Sequence, residues 1–273
     1  MTSFEGVHPR QGAGVSTGGQ FVTKARAEVA LDLEAVHHGH GTTLVEQARE
    51  LWHLWQGGAI EEYTRLEREV LASVPHLDTS LVADDFYHPM LQALADGKAH
   101  EAESLGRRLD VIAERERAWR EGGYTPPTFT KDEQTSGPVT YRKSTGSNYT
   151  GYRDVTAIAK DVRADLRAAQ RAGFIPPDVT ISVRSSKYAG GQALDLRVEG
   201  LSEDDQFQRR SPLDPSWQRR YSAYAHQVRD RVKAIASAYS HDDTSSETDY
   251  WNVTYYCNVT LADPAPVTDG VLL

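Results

Sequence analysis

The sequence predicts an α+β protein, in which an N-terminal helical bundle is followed by a small α-β-β-α-β domain whose short sheet is packed by two helices. Three observations lead there. Between Thr42 and Glu121 apolar residues recur at helical spacing in four runs, broken by Gly57-Gly58, Pro75 and Gly122-Gly123. From 122 to 152 that period disappears. Beyond 153 helical stripes bracket two short runs that alternate at period two around Gly190-Gly191.

Taken in order, residues 1–41 read as a flexible arm, because segments such as Thr17-Gly-Gly-Gln-Phe-Val-Thr-Lys24 hold glycine and few core formers. Residues 25–36 stay open between strand and helix, since Val29, Leu31 and Leu33 alternate among helix-favouring Ala and Glu. The bundle occupies 42–121. Its first helix carries Leu44, Ala48, Leu51 and Trp55, with Thr42 or Thr43 as cap ahead of Glu46. The second carries Ile60, Tyr63, Leu66, Val70 and Val74. A third, with Leu81, Val82, Met90 and Leu94, is interrupted at Pro89. The fourth, Lys98–Glu121, presents Ala102, Leu105, Leu109, Ile112 and Trp119. Short connections between such amphipathic runs make an antiparallel bundle.

Residues 122–152, rich in Pro, Thr, Ser and Gly, read as a linker. The domain at 153–262 opens with a helix striped by Val155, Ile158, Val162, Leu166 and Ala169. A hairpin of Val179–Val183 and Ala193–Val198 follows. A long helix opened by Asp214-Pro215 then carries Trp217, Tyr221, Tyr224, Val228, Val232, Ile235 and Tyr239, and the last strand is Tyr250–Leu261. Residues 263–273 are a tail.

Composition bounds the function. The chain has 273 residues and a net charge of −9, of which −7 falls in 1–150 and −2 in 151–273. That balance opposes non-specific DNA binding by the whole molecule, leaves room for a local basic face, and is too dilute for a DNA mimic. A single cysteine, Cys257, excludes an intramolecular disulfide framework and fits a reducing compartment. No run approaches the ~18 apolar residues of a membrane helix, and Met1–Gln20 lacks the apolar core of a signal peptide. The expectation is a cytoplasmic protein with no membrane partner.

Two groups of residues stand out as candidate binding sites. Lys160, Arg163, Arg167 and Arg171 share one side of their helix, either to track phosphates or as a solvated face balanced by Asp161 and Asp165. Arg184, Lys187, Tyr188 and Arg197 flank the glycine turn, where basic residues interleaved with tyrosine suit a nucleic-acid strand or an anionic partner, although a tight turn requires the glycines in any case. Trp52, Trp55 and Trp119 are protein-interface candidates as well as core residues. His37, His38, His40 and His53 lack the ligands that would complete a metal cage. Asp242, Asp243, Ser245, Glu247 and Asp249 have a calcium-like composition without EF-hand spacing, and read as a solubilising loop. Cys257 lies in a strand pattern with no adjacent histidine, and no catalytic motif, metal site or cofactor fingerprint is present.

Three stretches carry a family resemblance: Ile158-Ala-Lys-Asp-Val-Arg-Ala-Asp-Leu166, Val183-Arg-Ser-Ser-Lys-Tyr-Ala-Gly-Gly191 and His241-Asp-Asp-Thr-Ser-Ser-Glu-Thr-Asp-Tyr-Trp-Asn-Val253. With them, residues 153–260 resemble the large polyvalent protein-associated domain 29 of phages, plasmids and conjugative elements. The arm around Thr17-Gly-Gly-Gln-Phe21 is similar to N-terminal tags on such proteins. The chain departs from the family at Leu194-Asp-Leu-Arg-Val198, where a Trp-containing strand is expected, and at the acidic Glu203–Asp205. The resemblance implies a non-enzymatic accessory protein of a phage or mobile element. Such a protein would bind a host macromolecule, in the first instance a protein, to counter a host defence or redirect a host process. The alternative is a nucleic-acid-binding module built on the basic helix and hairpin.

Overall fold

A computed structural model describes residues 40–74, 76–136, 139–208, 219–245 and 250–264. Its helical part comprises α1 (His40–Gln56), α2 (Ile60–Ala72), α3 (Thr79–Leu81), a π-helical segment (Val82–Tyr87), α4 (His88–Ala95) and α5 (Ala99–Glu121). Leu44, Ala48, Leu51, Val70, Met90, Leu105 and Leu109 are buried on the facing stripes, so most of the period read from the sequence is the period that packs. Ile60 is the exception, 60% exposed at the start of α2, and α1 begins at His40, ahead of the expected caps Thr42 and Thr43. The interruption expected at Pro89 takes the form of the π-helical segment just before it. Pro89 supplies no N–H to the preceding turn, and the helix widens there, with the His88 N–H donating to the Ala83 carbonyl.

The second part is α+β, as expected, but with two sheets. α6 (Val155–Arg171), β3 (Thr180–Tyr188), β4 (Gly191–Glu199), α7 (Glu203–Gln206), α8 (Ala223–Ser237) and β7 (Tyr256–Leu261) form the anticipated unit. Its sheet has the order β3-β4-β7, with β3 antiparallel and β7 parallel to β4. The hairpin closes through Ala189-Gly190, since Tyr188 pairs with Gly191. α6 and α8 pack on one face, where Val183, Leu194, Leu196 and Val198 are buried.

The structure departs from the sequence expectation in four places. The segment 122–152, expected to be a linker, contains β1 (Phe129–Ser136) and β2 (Val139–Gly146). These join β5 (His241–Ser245) and β6 (Tyr250–Val253) in an antiparallel sheet of order β1-β2-β5-β6. Asp242 and Asp243 therefore sit in a strand rather than a loop, with Lys143 paired opposite Asp243; Glu247 and Asp249 lie outside the described residues. The single strand expected at 250–261 is broken at Thr254-Tyr255. There the buried Tyr255 hydroxyl donates to the Ala236 carbonyl, and the Thr254 carbonyl accepts from Gln192 Nε2 at 3.0 Å. The long helix expected from Asp214-Pro215 begins instead at Ala223, capped by the Ser222 hydroxyl. Asp214 and Trp217 lie outside the described residues.

The two parts meet in a polar junction. The Arg231 guanidinium makes paired hydrogen bonds to Glu116 Oε1 (2.6 Å) and Oε2 (2.7 Å), and a third to the Phe174 carbonyl (2.9 Å). Trp119 Nε1 donates to the same carboxylate at 3.0 Å. Asp85, on the π-helical segment, accepts from the Ala223 and Tyr224 N–H groups at the start of α8 (3.1 and 2.8 Å). Arg108 pairs with Asp205 at 2.6 Å. At the other end of α8, Gly146 lies so close to the Ala238 backbone that a Cβ would stand 2.3 Å from its carbonyl oxygen, so glycine is required where β2 meets the helix.

Candidate functional site: the open face of the three-stranded sheet

One face of the β3-β4-β7 sheet is covered by helices, and the other carries no covering element among the described residues. Strand alternation assigns residues to it. Ser182, Arg184, Ser186 and Tyr188 project from β3, Asp195, Arg197 and Glu199 from β4, and Tyr256, Asn258 and Thr260 from β7; all ten are exposed. The register arranges them in rows across the sheet: Arg184 opposite Asp195 beside Asn258, and Ser182 opposite Arg197 beside Thr260. Asn258 Nδ2 donates to Asp195 Oδ1 at 2.9 Å.

Two tyrosines frame this face. Tyr188 is 50% and Tyr256 49% exposed. Strand spacing and rise put their Cα atoms on the order of 12 Å apart toward the hairpin end. The far end of the Tyr188 ring lies beside Gly191, where a Cβ would stand 3.0 Å from Cε2, so a side chain there would press on the tyrosine. Tyr256 and Asn258 were not singled out from the sequence. The signal was present: Tyr256-Cys-Asn-Val-Thr-Leu261 alternates polar and apolar, with Cys257, Val259 and Leu261 partly buried on the opposite face.

The structure divides the basic candidates instead of gathering them. Arg184 and Arg197 share the open face, and Arg197 is paired with Glu199 at 2.8 Å. Lys187 has the opposite strand parity and points toward α6, where it pairs with Asp154; that lysine, with the Thr156 N–H, holds the Asp154 carboxyl down at about 2. Arg163 reaches the Val183 carbonyl at 2.6 Å, bridging α6 to β3. Arg167 and Arg171 are exposed on α6, in the helix layer behind the sheet. The hairpin and helix candidates thus fail to form one continuous basic surface.

The remaining candidates are placed as follows. Trp119 is buried in the junction, edge-on to Phe174 at 5.1 Å and near the Arg231 guanidinium at 5.7 Å, so it is unavailable to a partner. Trp52 and Trp55 stack at 4.8 Å and are half-buried against the bundle core. Cys257 lies on the covered side of β7, and burial pushes its thiol up, which suppresses the thiolate a nucleophile needs. His40 and His53 are on α1, while His37 and His38 lie outside the described residues, among which no group of three metal-ligating side chains converges. Nor is any described helix long and apolar enough to cross a membrane. Compared with protein-family models, curated proteins and solved structures, the chain matches none of them.

Proposed function

We propose that this chain is a non-enzymatic, phage- or mobile-element-encoded protein that binds a host protein in the bacterial cytoplasm, countering a host defence or redirecting a host process, and that the open sheet face is its contact surface. The observation that carries the binding reading is the pair of half-exposed tyrosines on a hydrogen-bonding sheet face that no described element covers. Tyrosine and arginine supply most hot spots at protein interfaces, because a rigid ring buries much area at little entropic cost. The mobile-element setting rests on the resemblance of residues 153–260 and of the Thr17-Gly-Gly-Gln-Phe21 run.

Charge favours protein over nucleic acid as the partner. On this face Arg184 stands opposite Asp195 and Arg197 is paired with Glu199, so two cations meet two anions. Phosphate binding depends on a cationic surplus.

The test is affinity purification of the tagged protein from host lysate, with and without nuclease and at two salt concentrations, for the wild type and two double variants. A host protein retained through nuclease and high salt is expected, with recovery reduced at least about tenfold by Tyr188→Ala/Tyr256→Ala and unchanged by Arg167→Glu/Arg171→Glu. Recovery of nucleic acid that is lost at high salt and depends on Arg167 and Arg171 selects the nucleic-acid module instead. Retention of the same protein by the tyrosine variant moves the contact surface elsewhere.

A further inference from the structure

Behind the sheet, between α6, α8 and residues 124–128, lies a cleft of about 350 Å³. This is the size of a small-ligand site. Tyr124, Pro126 and Pro127 wall it on one side, Ile235 and Ala238 on another, and Asp165 supplies a carboxylate. The carboxylate is held in place: Tyr239 donates its hydroxyl to Oδ2 at 2.6 Å and Asn148 Nδ2 approaches the same oxygen at 3.4 Å. Both bonds use Oδ2, and among the described residues no cation pairs with Asp165. Arg153, over the Tyr239 ring at 6.0 Å, is committed to Asp161 at 2.6 Å. Burial, and next the nearby Asp165 carboxyl, push the Tyr124 hydroxyl up.

An anchored carboxylate, without a cationic partner among the described residues, at one side of a half-enclosed cleft with proline, aromatic and aliphatic walls selects a particular ligand shape. It suits an apolar stem ending in a positively charged hydrogen-bond donor. We infer that this cleft binds an alkylammonium or guanidinium group, with the cation on Asp165 Oδ1 and the stem against Tyr124 and Ile235. Charge-assisted hydrogen bonding to a fixed carboxylate supplies the specificity. The group arrives either on a free amine or on a lysine or arginine side chain of another polypeptide. This site is separate from the open sheet face and does not depend on what that face binds.

The experiment titrates the full chain with putrescine, N-acetyl-lysine methylamide, N-acetyl-arginine methylamide and the uncharged N-acetyl-norleucine methylamide, followed by amide chemical shifts. Saturable millimolar binding is expected, with shifts at Ala168 and Ala238, and an affinity that falls with salt and drops at least about tenfold in Asp165→Asn. Putrescine binding more tightly than the capped residues identifies a free amine as the ligand, and the reverse order identifies a side chain. The norleucine analogue tests charge recognition without altering the protein. Equal binding of norleucine and lysine analogues overturns the inference, as does unchanged affinity in a folded Asp165→Asn variant or no saturation by any cation.

Discussion

The starts of α6 and α8 are both capped by an aspartate, and the two caps differ in almost every physical respect. Asp154 caps α6 from the adjacent position, accepting from the Thr156 N–H at 2.8 Å, and it is exposed and paired with Lys187. Asp85 caps α8 from the other part of the molecule and is half-buried, accepting from two N–H groups while the Ser222 hydroxyl takes a third, that of Ala225. The neighbouring cation pushes the first carboxyl down to about 2, whereas burial pushes the second up, against the opposing pull of the two N–H groups. A local cap orders its own helix; a distant cap also fastens two parts of a protein together, and desolvation is what that costs.

Four measurements sharpen this contrast, in descending order of effect. The largest is at the junction Asp85 belongs to. Glu116 is 1% and Arg231 13% exposed in their side chains, so Glu116→Ala leaves a buried guanidinium without its counterion. A loss of about 3–5 kcal/mol is expected in denaturant unfolding. Asp85→Ala removes two hydrogen bonds from the α8 N-terminus and should lower stability by about 1–2 kcal/mol by the same assay. An unchanged midpoint would mean that Ser222 suffices as the cap.

The pH dependences should be opposite in sign. The raised carboxyl of Asp85 favours the folded state when protonated. Its contribution is complete below the ordinary aspartate range and is lost as pH rises through the folded value, so relative to Asp85→Asn the wild type loses stability over that interval. The lowered carboxyl of Asp154 contributes above the ordinary aspartate range and loses that contribution as pH falls toward about 2, the reverse slope against Asp154→Asn. Parallel slopes for the two variants would dissolve the distinction between the caps. The smallest effect belongs to Lys187→Gln, which removes an exposed ion pair. It should leave the melting temperature nearly unchanged while moving the Asp154 titration, followed by carboxyl chemical shifts, back toward the ordinary range.

The candidate binding face was partly legible before any coordinates. Tyr188, Arg184 and Arg197 stand out beside the glycine turn. Gly190-Gly191 locates the hairpin, and period-two alternation fixes which of these residues share a face, a test that already separates Lys187 from Arg184. β1 and β2 were illegible because they lack an alternating apolar side: Thr130-Lys-Asp-Glu-Gln-Thr-Ser136 carries no hydrophobic period, and its strand is held by backbone pairing along β2. The cleft at Asp165 is not legible in the sequence because its parts come from 124–128, the turn at Ser147-Asn148, α6 and α8.

By itself the sequence determined the α+β class, the bundle helices, the β3-β4 hairpin and the buried stripes of α6 and α8. Those follow from local spacing of apolar residues, which these segments carry within a few turns of themselves and β1 and β2 do not. Tertiary structure alone decided that β1-β2 joins β5-β6, that Glu116 meets Arg231 across 115 positions, and that Asp85 caps a helix 138 residues away. Such partners are selected by burial and by the need to satisfy groups removed from water, and neither is set until the chain has closed on itself.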